Sequence, residues 1–257
     1  FIPRSFSLTH VNMTGRNWTA VGLPGCAAYP LVDPRGLVTP FFDGWSLDCW
    51  LIDSEGGGNL LPPRIDGVEQ RYLMDAGRLA VETSLQHDSM RLLSIVELEH
   101  IEGRPLLRIR YDAQGLASCR LVVALRPFNP EGLSFVNKLR LETNSWIIDG
   151  AGVVGFSEPP QASIISTFRD GDVFAALDSE STNMETEGEC DVGMLSAAAL
   201  FDMKKGSRRL ELTVDVSKDP EYDPSASCLP FTESWSDAME GACRLDVPDE
   251  RFQFLFD

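Results

Sequence analysis

The segment Leu210-Glu211-Leu212-Thr213-Val214-Asp215-Val216 alternates apolar and polar residues without a break. That is the period of a strand with one buried face and one wet face. The same two-residue period, rather than the 3.6-residue one of helices, governs most of the chain. Leu107, Ile109 and Tyr111 alternate with Arg108 and Arg110, while Leu121 to Leu125 form an apolar run suited to a strand buried on both sides. Further strands are expected over residues 6–13, 47–52, 70–74, 79–85, 92–101, 135–141, 164–168 and 173–177. Between these runs stand Asp43-Gly44, Asp66-Gly67, Glu102-Gly103, Asp149-Gly150 and Asp170-Gly171, pairs that tolerate the positive φ of tight hairpins. The intervening segments are too short for crossover helices, which excludes parallel βαβ architecture and points to antiparallel meanders in two packed sheets. A chain of 257 residues fits one large all-β domain of this kind.

Charge narrows the function classes. With 22 Lys plus Arg against 39 Asp plus Glu, the net charge is −17. No basic stripe interrupts that balance, so a nucleic-acid partner, which needs cations to displace condensed counterions, is excluded. No apolar run approaches the roughly 18 residues of a membrane helix, and no membrane partner is expected. Phe1-Ile2-Pro3-Arg4 carries no targeting signature. The six cysteines, Cys26, Cys49, Cys119, Cys190, Cys228 and Cys243, form no C-x-x-C pair and read as buried free thiols. Two glycosylation sequons begin at Asn12 and Asn17 and are given no weight.

The period changes after Pro230. Ser234 with Asp237 three residues on has the form of a helix N-cap, and Trp235, Met239, Ala242 and Leu245 fall on one helical face. Pro248 opens a second helical turn with Asp249 and Glu250 where the helix dipole favours anions. Phe252, Leu255 and Phe256 then share a face with nothing after them to cover it, an apolar ending that implies continuation into another domain. The expected division is a sandwich over residues 1–230 and a helical linker over 231–257.

Motifs that carry chemistry are scarce. His10, His87 and His100 stand in no metal-binding spacing, and no metal site or cofactor is expected; His100 shares a strand face with Val96 and Leu98 and reads as structural. Gly56-Gly57-Gly58 lacks the Lys-Ser/Thr of a P-loop, and no G-x-S-x-G elbow occurs. The acidic stretch containing Glu180, Glu185, Glu187, Glu189 and Asp191 lacks the alternating ligands and glycine of a calcium loop and reads as solvated. Aromatic rings concentrate instead at Trp18, Tyr29, Phe41-Phe42-Asp43-Gly44-Trp45 and Trp50, beside acids and glycines. Sugars stack on such rings while carboxylates accept their hydroxyls, which makes Trp18, Trp45 and Trp50 candidate carbohydrate contacts and an oligo- or polysaccharide a candidate partner; core packing is the competing use of the same rings.

Residues 16–22 (Arg-Asn-Trp-Thr-Ala-Val-Gly), 32–40 (Val-Asp-Pro-Arg-Gly-Leu-Val-Thr-Pro) and 44–48 (Gly-Trp-Ser-Leu-Asp) resemble the opening of glucoamylase-like and glycogen-debranching-like glycosidases. Arg126-Pro127-Phe128-Asn129-Pro130-Glu131-Gly132 resembles a loop within the same sandwich, and residues 247–252 resemble the junction into the barrel that follows it. The resemblance implies an antiparallel β-supersandwich of the galactose-mutarotase-like type, joined by a helical linker to an (α/α)₆ barrel that carries both catalytic carboxylates. No catalytic residue transfers to this chain, which stops where that barrel begins. It then reads as the non-catalytic half of a glycoside hydrolase whose partner is the C-terminal helical catalytic domain of the same chain. Trp235, Phe252, Leu255 and Phe256 are the expected domain contacts, and Arg126 with Glu131 the expected sugar-side loop. Two alternatives stay open: a stand-alone carbohydrate-binding module, and a sugar epimerase using His87 or His100 with a carboxylate as acid and base.

Overall fold

The computed structural model describes residues 18–41, 43–55, 58–75, 77–129, 132–177, 183–218, 223, 225, 231–232, 234–240 and 248. These residues build a β-sandwich from one eight-stranded and one nine-stranded sheet, with a two-stranded ribbon at one end. All strand pairs within the sheets are antiparallel. The nine-stranded sheet follows the alternation expected from sequence. Strands Val68–Asp75, Arg78–His87, Met90–Ile101 and Arg104–Gln114 form a meander, onto whose last member Ser207–Asp215 pairs from Ser207 opposite Gln114 to Asp215 opposite Leu106. Val96, Leu98, Leu107, Ile109, Leu210 and Leu212 face inward and are buried.

The outward residues of the same strands form a lattice of ion pairs. Arg108 reaches Glu99 at 2.7 Å and Glu211 at 2.5 Å, Arg110 reaches Glu97 at 2.7 Å, and Arg209 reaches Asp112 at 2.8 Å. Alternating a buried aliphatic with a charged residue therefore does two things at once: it fills the core and gives the wet face cross-strand partners of opposite sign.

Two of the expected turns have the backbone that their residues allow. Glu102-Gly103 has φ of 52° and 81°, positive at both central positions as a two-residue hairpin requires, and Asp149-Gly150 has 49° and 75° within the three-residue connection 149–151. Residues 173–177 depart from the strand expected there: Val173–Ala176 is one turn of α-helix. The Asp172 carboxylate caps it by accepting from Phe174 N–H at 2.8 Å, and two alanines outweigh the short apolar run. Over 135–141 the strand proper is Lys138–Glu142, while Val136 bridges Met194 in parallel. Ser196–Asp202, Ser145–Ile148 and Gly152–Phe156 are strands that the pattern did not mark. Residues 6–13 lie outside the described residues.

Candidate functional site

Strands Ser46–Asp53, Cys119–Arg126, Ser196–Asp202 and Ala162–Ser166 are neighbours in the eight-stranded sheet, and their two faces have different company. Leu47, Cys49, Leu51, Leu121, Val123, Ala197, Ala199 and Phe201 face the nine-stranded sheet. On the other face Trp50 pairs with Val122, Asp48 with Ala124 and Ser46 with Arg126, while Ala124 sits opposite Ala198. The small alanines leave room for large neighbours. A second, smaller core fills that room, in which Leu61, Val173 and the half-buried Phe174 roof the sheet over Trp50. The Trp50 and Phe174 rings meet edge to face at 5.7 Å.

Arg126 lies inside this second core and is 1 % exposed. Its guanidinium grips the Asp172 carboxylate with both terminal nitrogens, Nη1 to Oδ1 at 2.9 Å and Nη2 to Oδ2. It also stands 5.3 Å from the Trp50 ring centre and 5.2 Å from that of Phe128. A planar cation that forks onto one carboxylate and stacks between two rings satisfies the conditions under which burying a charge is tolerable. Its Nε nevertheless has no hydrogen-bond partner among the described residues. Asp172 serves twice, as the partner of Arg126 and as the N-cap of the helical turn that roofs Trp50.

Asp48 completes the cluster. Burial pushes its carboxyl up to about 6, against the Trp50 indole N–H, the Arg126 charge and the Cys49 amide, which all favour the ionised form; nearby Asp33 adds repulsion. Asp33 is itself raised by burial, although its Oδ1 accepts from Arg35 N–H at 2.8 Å and Leu37 N–H at 2.9 Å. Burial also raises the Cys49 thiol and the Tyr111 phenol. Asp48, Cys49 and Tyr111 are enclosed by packing rather than presented to a substrate, while Asp33 is half-buried. Among the described residues no group of three or more His, Cys, Asp or Glu side chains is placed to hold a metal ion.

Sequence-selected residues meet here only in part. Trp50 and Arg126 belong to one cluster. Trp45 does not: it is 6 % exposed, lies in the main core and meets Phe41 edge to face at 5.4 Å. The Trp45 and Trp50 rings are thus both spent on internal packing. Trp18 is half-buried at the start of the described residues. Glu131 lies outside them, as do Phe252, Leu255 and Phe256. His100 packs on the ring of Phe231 at 4.3 Å, and His87 is on the surface 3.7 Å from Asp88.

Trp235 turns back on the sandwich. Its indole N–H donates to Gly22 O at 3.0 Å and its backbone N–H to Gly77 O at 2.7 Å, while Ser234 Oγ caps its helical turn by accepting from Ser236 and Asp237. Sequence reasoning missed Asp48, Asp172, Phe128 and Phe174. Asp48 did carry a signal, as an acid between Leu47 and Cys49, two residues before Trp50; Asp172 carried none, since its partner is 46 residues away.

The loop 127–134 that follows Arg126 is tied to the aromatic loop before Trp45: Asn129 Nδ2 donates to Gly44 O at 2.9 Å, and Gly132 N–H donates to Asn129 Oδ1 at 3.1 Å. A shallow cleft of about 660 Å³ is walled by Lys138, Phe168, Arg169, Glu189, Asp191 and Val192. Two of these lining residues, Lys138 and Glu189, are cross-strand partners joined by an ion pair at 2.8 Å.

No protein-family model matches the chain, and no curated protein matches it. Among solved structures it is similar to a bacterial glucoamylase complexed with acarbose, at 10 % identity and a TM-score of 0.53, over 88 % of this chain and 34 % of that one. A family GH92 α-mannosidase from Bacteroides thetaiotaomicron is matched at 10 % identity and a TM-score of 0.43, over 78 % of this chain and 31 % of that one. The chain spans about a third of the glucoamylase's length. At this identity the likeness is one of fold, a two-sheet β-sandwich of the kind found in that glycosidase.

Proposed function

We propose that this chain is the non-catalytic β-sandwich of a glycoside hydrolase, with residues 1–230 as the sandwich and 231–257 leading into a helical barrel that breaks the glycosidic bond. The observation that carries this reading is the match of 88 % of this chain to 34 % of a glucoamylase. The state of the acids supports it. Glycoside hydrolysis needs two carboxyls facing each other across an open sugar site. The acid pushed up furthest here, Asp48, is instead enclosed in the sandwich at 2 % exposure. The role left to the sandwich is mechanical: it holds the loops around Arg126 and Trp45 in a fixed shape and supports the domain beside them.

The test compares the 257-residue chain with the full natural polypeptide on α-linked gluco-oligosaccharides. The full polypeptide is expected to release reducing sugar while the sandwich alone releases none. Hydrolysis by the sandwich alone, at a rate comparable to that of the full polypeptide, would overturn the reading.

A further inference from the structure

The rings that the sequence marked for sugar contact, Trp45 and Trp50, are spent on internal packing. The outer face of the nine-stranded sheet is covered with cross-strand ion pairs, and that of the eight-stranded sheet is roofed by its second core. One lateral edge is different. There Ala162–Ser166, last in one sheet, comes beside Glu187–Glu189, last in the other. The segment leading into Glu187–Glu189 joins the two: Glu185 N–H donates to Ser163 O at 2.9 Å, and Gly188 lies so close to the Ile165 side chain that a Cβ has no room. The cleft of about 660 Å³ opens at this edge, lined by residues 167–169 after the first strand, 189–192 at the end of the second, and Asn137 and Lys138. Its volume falls in the range of ligand sites, roughly 300–1,000 Å³.

The lining suits one chemistry. Phe168 is half-buried against the main core, which fixes its ring while leaving part of it at the cleft. Lys138 and Glu189 neutralise each other across neighbouring strands. Arg169 and Asp191 line the same cleft yet form no ion pair among the described residues; the acid next to Arg169, Asp170, instead accepts from the Thr167 hydroxyl at 2.5 Å. Two cations and two acids leave the lining without net charge on a molecule of −17, so neither an anion nor a cation is favoured there. A neutral ligand with adjacent hydroxyls meets both free charges, because a hydroxyl donates to the Asp191 carboxylate and accepts from the Arg169 guanidinium. The C–H face of a sugar ring lies on Phe168 at the same time.

We propose that this cleft binds a neutral oligosaccharide, with Phe168 as the stacking surface and Arg169 and Asp191 as the hydroxyl partners. This rests on reading the chain as the accessory half of a glycoside hydrolase, and it gives the sandwich a second task beside support: holding the sugar chain without cutting it. One half-buried ring and two exposed charges set a weak affinity, with a dissociation constant of about 1–10 mM.

Proton–nitrogen correlation spectra of the 257-residue chain, titrated with maltotriose to about 20 mM, test it. Shifts are expected at the amides of Lys138, Phe168, Arg169 and Asp191. The double variant Arg169→Ala, Asp191→Ala is expected to bind about tenfold more weakly or not at all. Both positions are exposed, and the rest of the amide spectrum shows that the variant is folded. Tyr72→Ala, which removes an exposed ring from the strand at the far edge of the nine-stranded sheet, is expected to bind as the unaltered chain does. No shift at these amides, undiminished binding by the double variant, or larger shifts with inorganic phosphate at the same concentration would overturn the sugar site. None of these outcomes touches the accessory reading, which stands or falls on hydrolysis by the full polypeptide.

Discussion

Asp48 is a carboxylate held where ionisation is costly, and the sign of its effect follows. Its pKa in the folded chain is about 6, above the ordinary 3.8, so between those values the folded state holds a proton that the unfolded state releases. This group therefore favours folding most below pH 4. That contribution is lost as pH rises toward 6 and stays lost above it. Replacing it, Asp48→Asn, is expected to raise stability at pH 7.5 by about 1–3 kcal/mol and to flatten the pH dependence between 4 and 6, as read by urea unfolding at several pH values. Arg126 has the opposite character, because its partners are in place. Arg126→Ala leaves Asp172 without its cation and opens space beside Trp50 and Phe128, and a loss of about 3–5 kcal/mol in the same assay is expected. Arg126→Lys is expected to recover little of it, since an ammonium reproduces neither the two-pronged grip on Asp172 nor the stacking between rings.

Elements are held by their turns as much as by their strands. Gly103 and Gly206 have similar φ, 81° and 79°, yet different surroundings. An added Cβ at Gly103 meets nothing within 4 Å, whereas at Gly206 it would stand 2.6 Å from Gly115 O. Gly103→Ala should thus cost only the backbone strain, about 1 kcal/mol. Gly206→Ala adds a clash where the chain crosses from one sheet to the other, and a loss of more than about 2 kcal/mol is expected in thermal unfolding. The helical turn Trp235–Ala238 depends on its cap in the same local way. Ser234→Ala removes the acceptor for two amides, and the Trp235 amide that donates to Gly77 should exchange with deuterium about fivefold faster, with little change in global stability.

At the scale of the whole molecule, a net charge of −17 repels itself over distances that salt screens. The ion pairs on the nine-stranded sheet are close and partly buried, so they feel salt less. Raising sodium chloride from about 20 to 200 mM is therefore expected to raise the melting temperature by a few degrees. A fall would mean that the pairs outweigh the net repulsion. The alternation in 104–114 and 207–216 was enough, by itself, to determine an antiparallel sandwich and the side each strand turns inward, because a two-residue period leaves no other way to bury one set of side chains. It also determined the Glu102-Gly103 and Asp149-Gly150 turns, whose φ values only a few residue types accept. Ser196–Asp202 was not legible, since a strand buried on both faces and rich in alanine has no alternation to read. The pairing of Arg126 with Asp172, the enclosure of Asp48, and the meeting of Phe168, Arg169 and Asp191 around one cleft were decided by tertiary structure alone. Each joins residues from separate strands and loops, and the register that brings them together is set by the packing of two whole sheets, which no local stretch of sequence records.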